Sequence, residues 1–123
     1  MKEIIAIIRP KKVGSTKDAL EKLGFPSITA VFAIGRGKQR GIASEVTCDI
    51  PMELQGQGKS GGMKYIPKRL ISIVVRDPDV DLVVRTIIKV NQTAQIGDGK
   101  IFICPVDNAV RVRTDEEGEK AIM

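Results

Sequence analysis

Three short clusters in this 123-residue chain have residue types and spacings that could do chemistry. The first is Gly97-Asp98-Gly99-Lys100. Glycines on either side of an Asp let the backbone turn tightly and aim its N–H groups at one spot. Such a nest binds anions, and the lysine adds a point charge. The run fits neither Gly-x-x-x-x-Gly-Lys-Ser/Thr nor Gly-x-Gly-x-x-Gly, and Asp-Gly alone is ordinary turn punctuation. The second cluster is Gly35-Arg36-Gly37-Lys38-Gln39-Arg40-Gly41. Its basic residues sit at alternate positions, so in an extended segment they share a face and could wrap a polyphosphate. A solvated basic turn has the same pattern. The third is Arg111 and Arg113, placed on one face by the period of a strand, or simply exposed at the surface. Together the three point to a nucleotide or another phosphate ligand. The chain has no His and only Cys48 and Cys104, so it has no zinc pattern and no Ser–His or Cys–His dyad. No general base has a positioned partner. The expectation is binding, not catalysis.

The composition suits a small core that must position these clusters. Hydrophobic residues make up 42% of the chain and aromatics only 3%, so Ile, Val and Leu build the interior. A formal charge of +5 attracts anions of any kind and narrows the ligand's sign more than its identity. The apolar run Ile4–Ile8 is too short for a secretory leader or a membrane span. A cytoplasmic protein is expected, with both cysteines as free thiols.

Stepping along the chain, Glu3 to Arg9 reads as a central strand ended by Pro10. A helix over about 12–23 follows, with Val13, Thr16, Leu20 and Leu23 on one face and Gly24 as its stop. Residues 27–34 read as a second strand, rich in β-branched residues. Gly35 to Ile66 has no helical or strand period and holds seven of the 12 glycines. A loop this long is usually functional or disordered. Pro67 leads into a third strand over 70–75. Asp77 as cap and Pro78 at the first helical position predict the start of a second helix. Val80, Val83, Val84, Ile87 and Ile88 follow its apolar spacing. A fourth strand over 101–106, a short fifth over 108–113 and a terminal helix within 115–123 complete the expectation. The order is β-α-β-loop-β-α-β, an α+β ferredoxin-like arrangement in one domain, 1–123, with the extended loop at about 37–66. Two helices cover one sheet face. The apolar strands predict that oligomerisation covers the other.

KEIIAIIRPKK, GRGKQRG, IPK before the third strand, IGDGKIFICPV and VRVRT occur in this order over essentially the whole chain. In this the chain resembles the PII signal-transduction family. GRGKQRG and VNQT resemble its NifI, nitrogenase-regulating branch, specifically the second of two tandem subunits. The resemblance implies a non-catalytic sensor, a homo-trimer or a hetero-oligomer with a second PII-like subunit, with ATP or ADP between neighbours. It implies that Gly97, Asp98, Gly99 and Lys100 hold the nucleotide from one side. Gly35, Arg36, Gly37 and Lys38 would line the cleft, with Ile7, Thr29 and Val74 near its base. Arg111 and Arg113 would reach in from the neighbour. Gln39 would help hold Mg²⁺ and 2-oxoglutarate, Gly41 would join that metabolite site, and Lys68 would pair with a carboxylate of the metabolite.

Some features depart from the family pattern. Thr93-Ala94-Gln95 replaces a Thr-Gly-Lys run, which removes a cationic contact near the nucleotide. The loop is longer than in common bacterial members. It has no counterpart of the tyrosine that they uridylylate, since Tyr65 sits at its base, and it lacks the apical arginine that plugs ammonium channels. The implied target is a nitrogenase component, through the loop. The alternative is a regulator of an ammonium transporter or of another nitrogen-assimilation target. RNA binding by the sheet is disfavoured because strands one and three carry no aromatics for base stacking. An acylphosphatase-type enzyme would need a catalytic constellation that the chain does not have. No nucleic-acid partner and no direct membrane insertion are expected.

Overall fold

The computed structural model describes residues 1–37 and 65–123. Lys38, Gln39, Gly41, Cys48 and most of the 37–66 loop lie outside the described residues. The elements are β1 (Lys2–Ile8), α1 (Val13–Lys22), β2 (Thr29–Gly35), β3 (Ile66–Val75), α2 (Val80–Asn91), β4 (Lys100–Pro105) and a four-residue α3 (Glu119–Ile122). The strands form one antiparallel sheet in the order β2-β3-β1-β4. This is the expected α+β ferredoxin-like topology, with β2 and β3 as partners across the long loop.

The alternation of strand side chains divides the sheet into two faces. Ile4, Ala6 and Ile8 of β1 and Ile71, Ile73 and Val75 of β3 point toward the helices and are buried. Leu20 of α1 and Val83 and Ile87 of α2 complete this core. Each of these Ile, Leu and Val side chains contributes about 1.5–3 kcal/mol when fully buried. Between the helices, Asn91 Nδ2 donates to Thr16 Oγ1 at 3.0 Å and to the Ile87 carbonyl at 2.9 Å. The opposite face carries Ile5, Ile7, Leu70 and Val74, with Val31 48% and Phe102 46% exposed. Among the described residues no element covers that face.

α1 ends as its sequence predicts. Gly24 takes φ 92°, its N–H donates to Glu21 O at 3.0 Å, and Phe25 N–H donates to Leu20 O at 2.9 Å. These are the two bonds of a Schellman stop, which needs a left-handed residue.

Several expectations are corrected. β2 runs from Thr29 to Gly35, later than predicted, and β4 starts one residue earlier, at Lys100. β3 begins at Ile66, so Pro67 and Lys68 lie inside it. Proline is tolerated there because β1 pairing begins only at Arg69, which leaves no β1 acceptor opposite the missing N–H. Asp77 does not cap the second helix. It opens a 3-10 turn, Asp77–Asp79, with no side-chain cap bond, and its carboxylate pairs with the Met1 amine at 3.0 Å. The fifth strand is absent as a strand. Residues 108–118 form a tight hairpin whose ladder is the single bridge Val110–Glu117. Arg111 N–H donates to Glu116 O at 2.8 Å, Asp115 N–H donates to Arg111 O at 2.9 Å, and Asp115 stands at φ 61°. The chain reverses too early for Arg111 and Arg113 to share a strand face.

Candidate functional site

The turn between α2 and β4 is built around Asp98. Its Oδ2 accepts from the backbone N–H of Thr93 at 2.7 Å and of Ala94 at 2.9 Å. Its Oδ1 accepts from the Thr93 hydroxyl and from the Arg9 guanidinium at 2.7 Å. The Thr93 hydroxyl is the strongest of the influences that hold the Asp98 carboxyl well below the usual carboxylate range. Arg9 and the two amides add to it, and partial burial opposes it. Arg9 is buried, at 7% exposure, and also donates to Ile96 O at 3.1 Å. Asp98 therefore shapes the turn with both oxygens, and exposed Lys100 follows it.

Gly99 is required by space as well as by conformation. Its φ is 113°, and a Cβ there would stand 1.9 Å from the Ile7 carbonyl oxygen. The turn thus lies directly on the β1 backbone, and exposed Lys100 pairs across from Ile7.

The roots of the long loop come to the same place. Gly35 closes β2 opposite Ile66, and Lys68 lies opposite Ala33. Lys68 is 8% exposed and its Nζ donates to Gly97 O at 2.7 Å. A Cβ on Gly35 would sit 3.6 Å from Lys68 Cγ. The Arg36 guanidinium lies over the Tyr65 ring, 6.0 Å from its centroid, which pairs the two roots. The structure thus brings together Gly35, Arg36, Gly37, Lys68, Ile7 and the 97–100 turn at one end of the sheet.

Thr29, Val74, Arg111 and Arg113 belong to the other end. Thr29 pairs with Ser72 and Val74 with Glu3. At about 3.3 Å per residue, the six residues from Lys68 to Val74 span roughly 20 Å. After β4 the chain leaves from this far end, where Val106 N–H donates to Met1 O at 3.2 Å. Arg111 is partly buried and donates to Glu116 Oε1 at 3.0 Å and to the backbone oxygens of Lys120 and Met123, each at 2.8 Å. Arg113 is exposed in the turn. Within the described residues these two groups stand at opposite ends of the sheet.

Sequence reasoning gave Arg9, Tyr65, Thr93 and Glu116 no binding role. Arg9 carried a signal. A cation ending an apolar strand and fixed by the following proline is directed inward and needs an acidic partner. Thr93, five residues before Asp98, carried a weaker one, the tendency of short polar side chains to bond nearby backbone.

The family model "Nitrogen regulatory protein P-II" matches residues 1–116. The chain is 57% identical over 122 residues to "Nitrogen fixation nifHD region GlnB-like protein 2" of Methanothermobacter marburgensis, covering 99% of this chain and 100% of that one. It is 47% identical over 119 residues to the GlnB-like protein 1 of the same organism, covering 96% and 99%. Among solved structures it is similar to Arabidopsis thaliana PII bound to citrate, with a TM-score of 0.73 and 34% identity over 98% of this chain and 90% of that one. The match along the chain, the shared sheet and the two loop roots meeting the Gly97–Lys100 turn agree: this chain belongs to the nitrogen regulatory P-II family of regulatory, non-catalytic proteins, beside the nif-region GlnB-like proteins 2.

Proposed function

We propose that this protein is a cytoplasmic nitrogen regulator that binds ATP or ADP between subunits, takes Mg²⁺ and 2-oxoglutarate beside ATP, and uses its long loop to control nitrogenase. The observation that carries this reading is the hydrogen bond from Lys68 Nζ to Gly97 O at 2.7 Å, beside Gly35, where an added Cβ would meet the Lys68 side chain. It puts both ends of the loop against the anion-binding turn, so a ligand seated there contacts the loop's roots directly. A ligand shifts such an element only by its differential affinity for the two states, and a dianion at Lys68 supplies that difference. The separation of Arg111, Arg113, Thr29 and Val74 from the turn supports a shared site, with these residues given by a neighbour in a trimer or in a hetero-oligomer with a type 1 subunit. The nifHD-region names of the relatives support nitrogenase as the target, and the citrate-bound relative supports a carboxylate ligand.

The test is calorimetry on the intact protein. 2-Oxoglutarate is expected to bind only with MgATP present, and Lys68→Ala is expected to lose that binding while retaining ATP. Unchanged 2-oxoglutarate binding in the variant would remove Lys68 from the site.

A further inference from the structure

The 108–123 segment is tied together by one side chain. Arg111 uses Nη1 on Glu116 and both hydrogens of Nη2 on the Lys120 and Met123 backbone oxygens. Val110–Glu117, Asn108–Glu117 and Ala121 N–H to Gly118 O brace the same turn. Ile122 and Met123 then line a groove of about 500 Å³ with Leu23, Phe25, Val75 and Leu82. α3 has only four residues, far below the length at which a helix holds by itself. Its position therefore depends on the Arg111 contacts and on that groove.

The same guanidinium is a phosphate ligand in the function proposed above, and this inference rests on that reading. Phosphate is best gripped by two parallel N–H groups, and the Nη1–Nη2 fork is already committed. The Glu116 carboxylate, 3.0 Å from Nη1, would also repel an approaching polyphosphate. The two occupants compete. We infer that Arg111 is a latch with two rival partners, Glu116 and the α3 backbone on one side and phosphate on the other, so that nucleotide binding releases the Glu119–Ile122 turn. The terminal segment thereby reports nucleotide occupancy at the end of the sheet away from the long loop.

Competition has a sign that a structural role lacks. Glu116→Gln in the full-length protein weakens the rival partner and is expected to bind ATP about two- to fivefold more tightly, the scale of a part-exposed ion pair. Ala121→Pro removes the N–H that bonds Gly118 O, loosens α3 while leaving the Arg111 and Glu116 side chains in place, and should also tighten binding. In the unmutated protein, ATP should speed amide hydrogen exchange at residues 119–123. Weaker or unchanged ATP affinity in both variants, or slower exchange on adding ATP, overturns the latch and leaves the nucleotide site standing. Absence of ATP binding in the unmutated protein overturns the site and the latch together.

Discussion

Ala94 is the residue at which this chain departs most informatively from its family. It stands at φ 66°, in the left-handed region where a Cβ costs about 1–2 kcal/mol. The Thr-Gly-Lys run expected from the resemblance would put glycine at this place. The conformation is held here by Asp98, whose Oδ2 accepts both the Ala94 and Thr93 N–H groups. Strain at a ligand-facing turn is therefore offset by a carboxylate. Ala94→Gly removes the Cβ strain and adds some unfolded-chain freedom, so a net gain of roughly 0.5–1 kcal/mol is expected. A higher midpoint of thermal unfolding with unchanged cooperativity would show it, whereas a loss of stability would mean that the Ala94 methyl makes a favourable contact.

At the scale of the element, the 93–98 turn depends on one ionised group. The Asp98 carboxyl is held below its usual range, first by the Thr93 hydroxyl and then by Arg9 and the two amides. A carboxylate with a depressed folded-state pKa stabilises the fold above its unfolded pKa of about 3.9, and that contribution disappears as pH falls through the folded value. The turn should therefore be intact throughout the neutral range and weaken progressively only below about pH 4. Asp98→Asn is expected to lower stability at pH 7 and to flatten the acid limb of the stability curve, as read by denaturant titration at several pH values. A variant whose acid limb matched the parent's would assign that limb to other carboxylates. Elements of this kind differ in how far sequence discloses them. β1, α1, α2 and the Gly24 stop were legible because period and stop residues agreed. The Val110–Arg113 alternation was misleading, because the bond from Arg111 N–H to Glu116 O closes a turn where two-residue periodicity implies a strand. Gly97–Lys100 was legible as a tight turn, but Asp98's partners Arg9 and Thr93 were not, since Arg9 lies 89 residues away and only the fold brings it in. The Gly35, Lys68 and Gly97 cluster needed the register of β2 on β3. Pro67 disguised that register by suggesting that the strand began after it.

At the scale of the molecule, the apolar sheet face and the separation of the proposed site residues lead to one prediction. Ile5, Ile7, Leu70 and Val74 share the face that the helices leave open, with Val31 and Phe102 exposed beside them. An exposed apolar face of this kind commonly marks an interaction site. The residues that the proposed nucleotide site needs stand about 20 Å apart within a subunit. Assembly through this face would cover the apolar surface and bring one subunit's Arg111 end toward another's Gly97 end in the same step. Nucleotide affinity should then depend on assembly even for a substitution remote from the phosphates. Phe102 sits on β4, is 46% exposed and pairs across from Ile5, so Phe102→Asp costs the isolated subunit little core packing while placing a charge in the interface. Light scattering should give the mass of a single subunit for this variant, circular dichroism should show the fold retained, and ATP affinity should fall by at least tenfold. A folded single subunit that still bound ATP as the parent does would mean that one subunit holds the whole site, and the division of the site between Lys68 and Val74 would then have no role in binding.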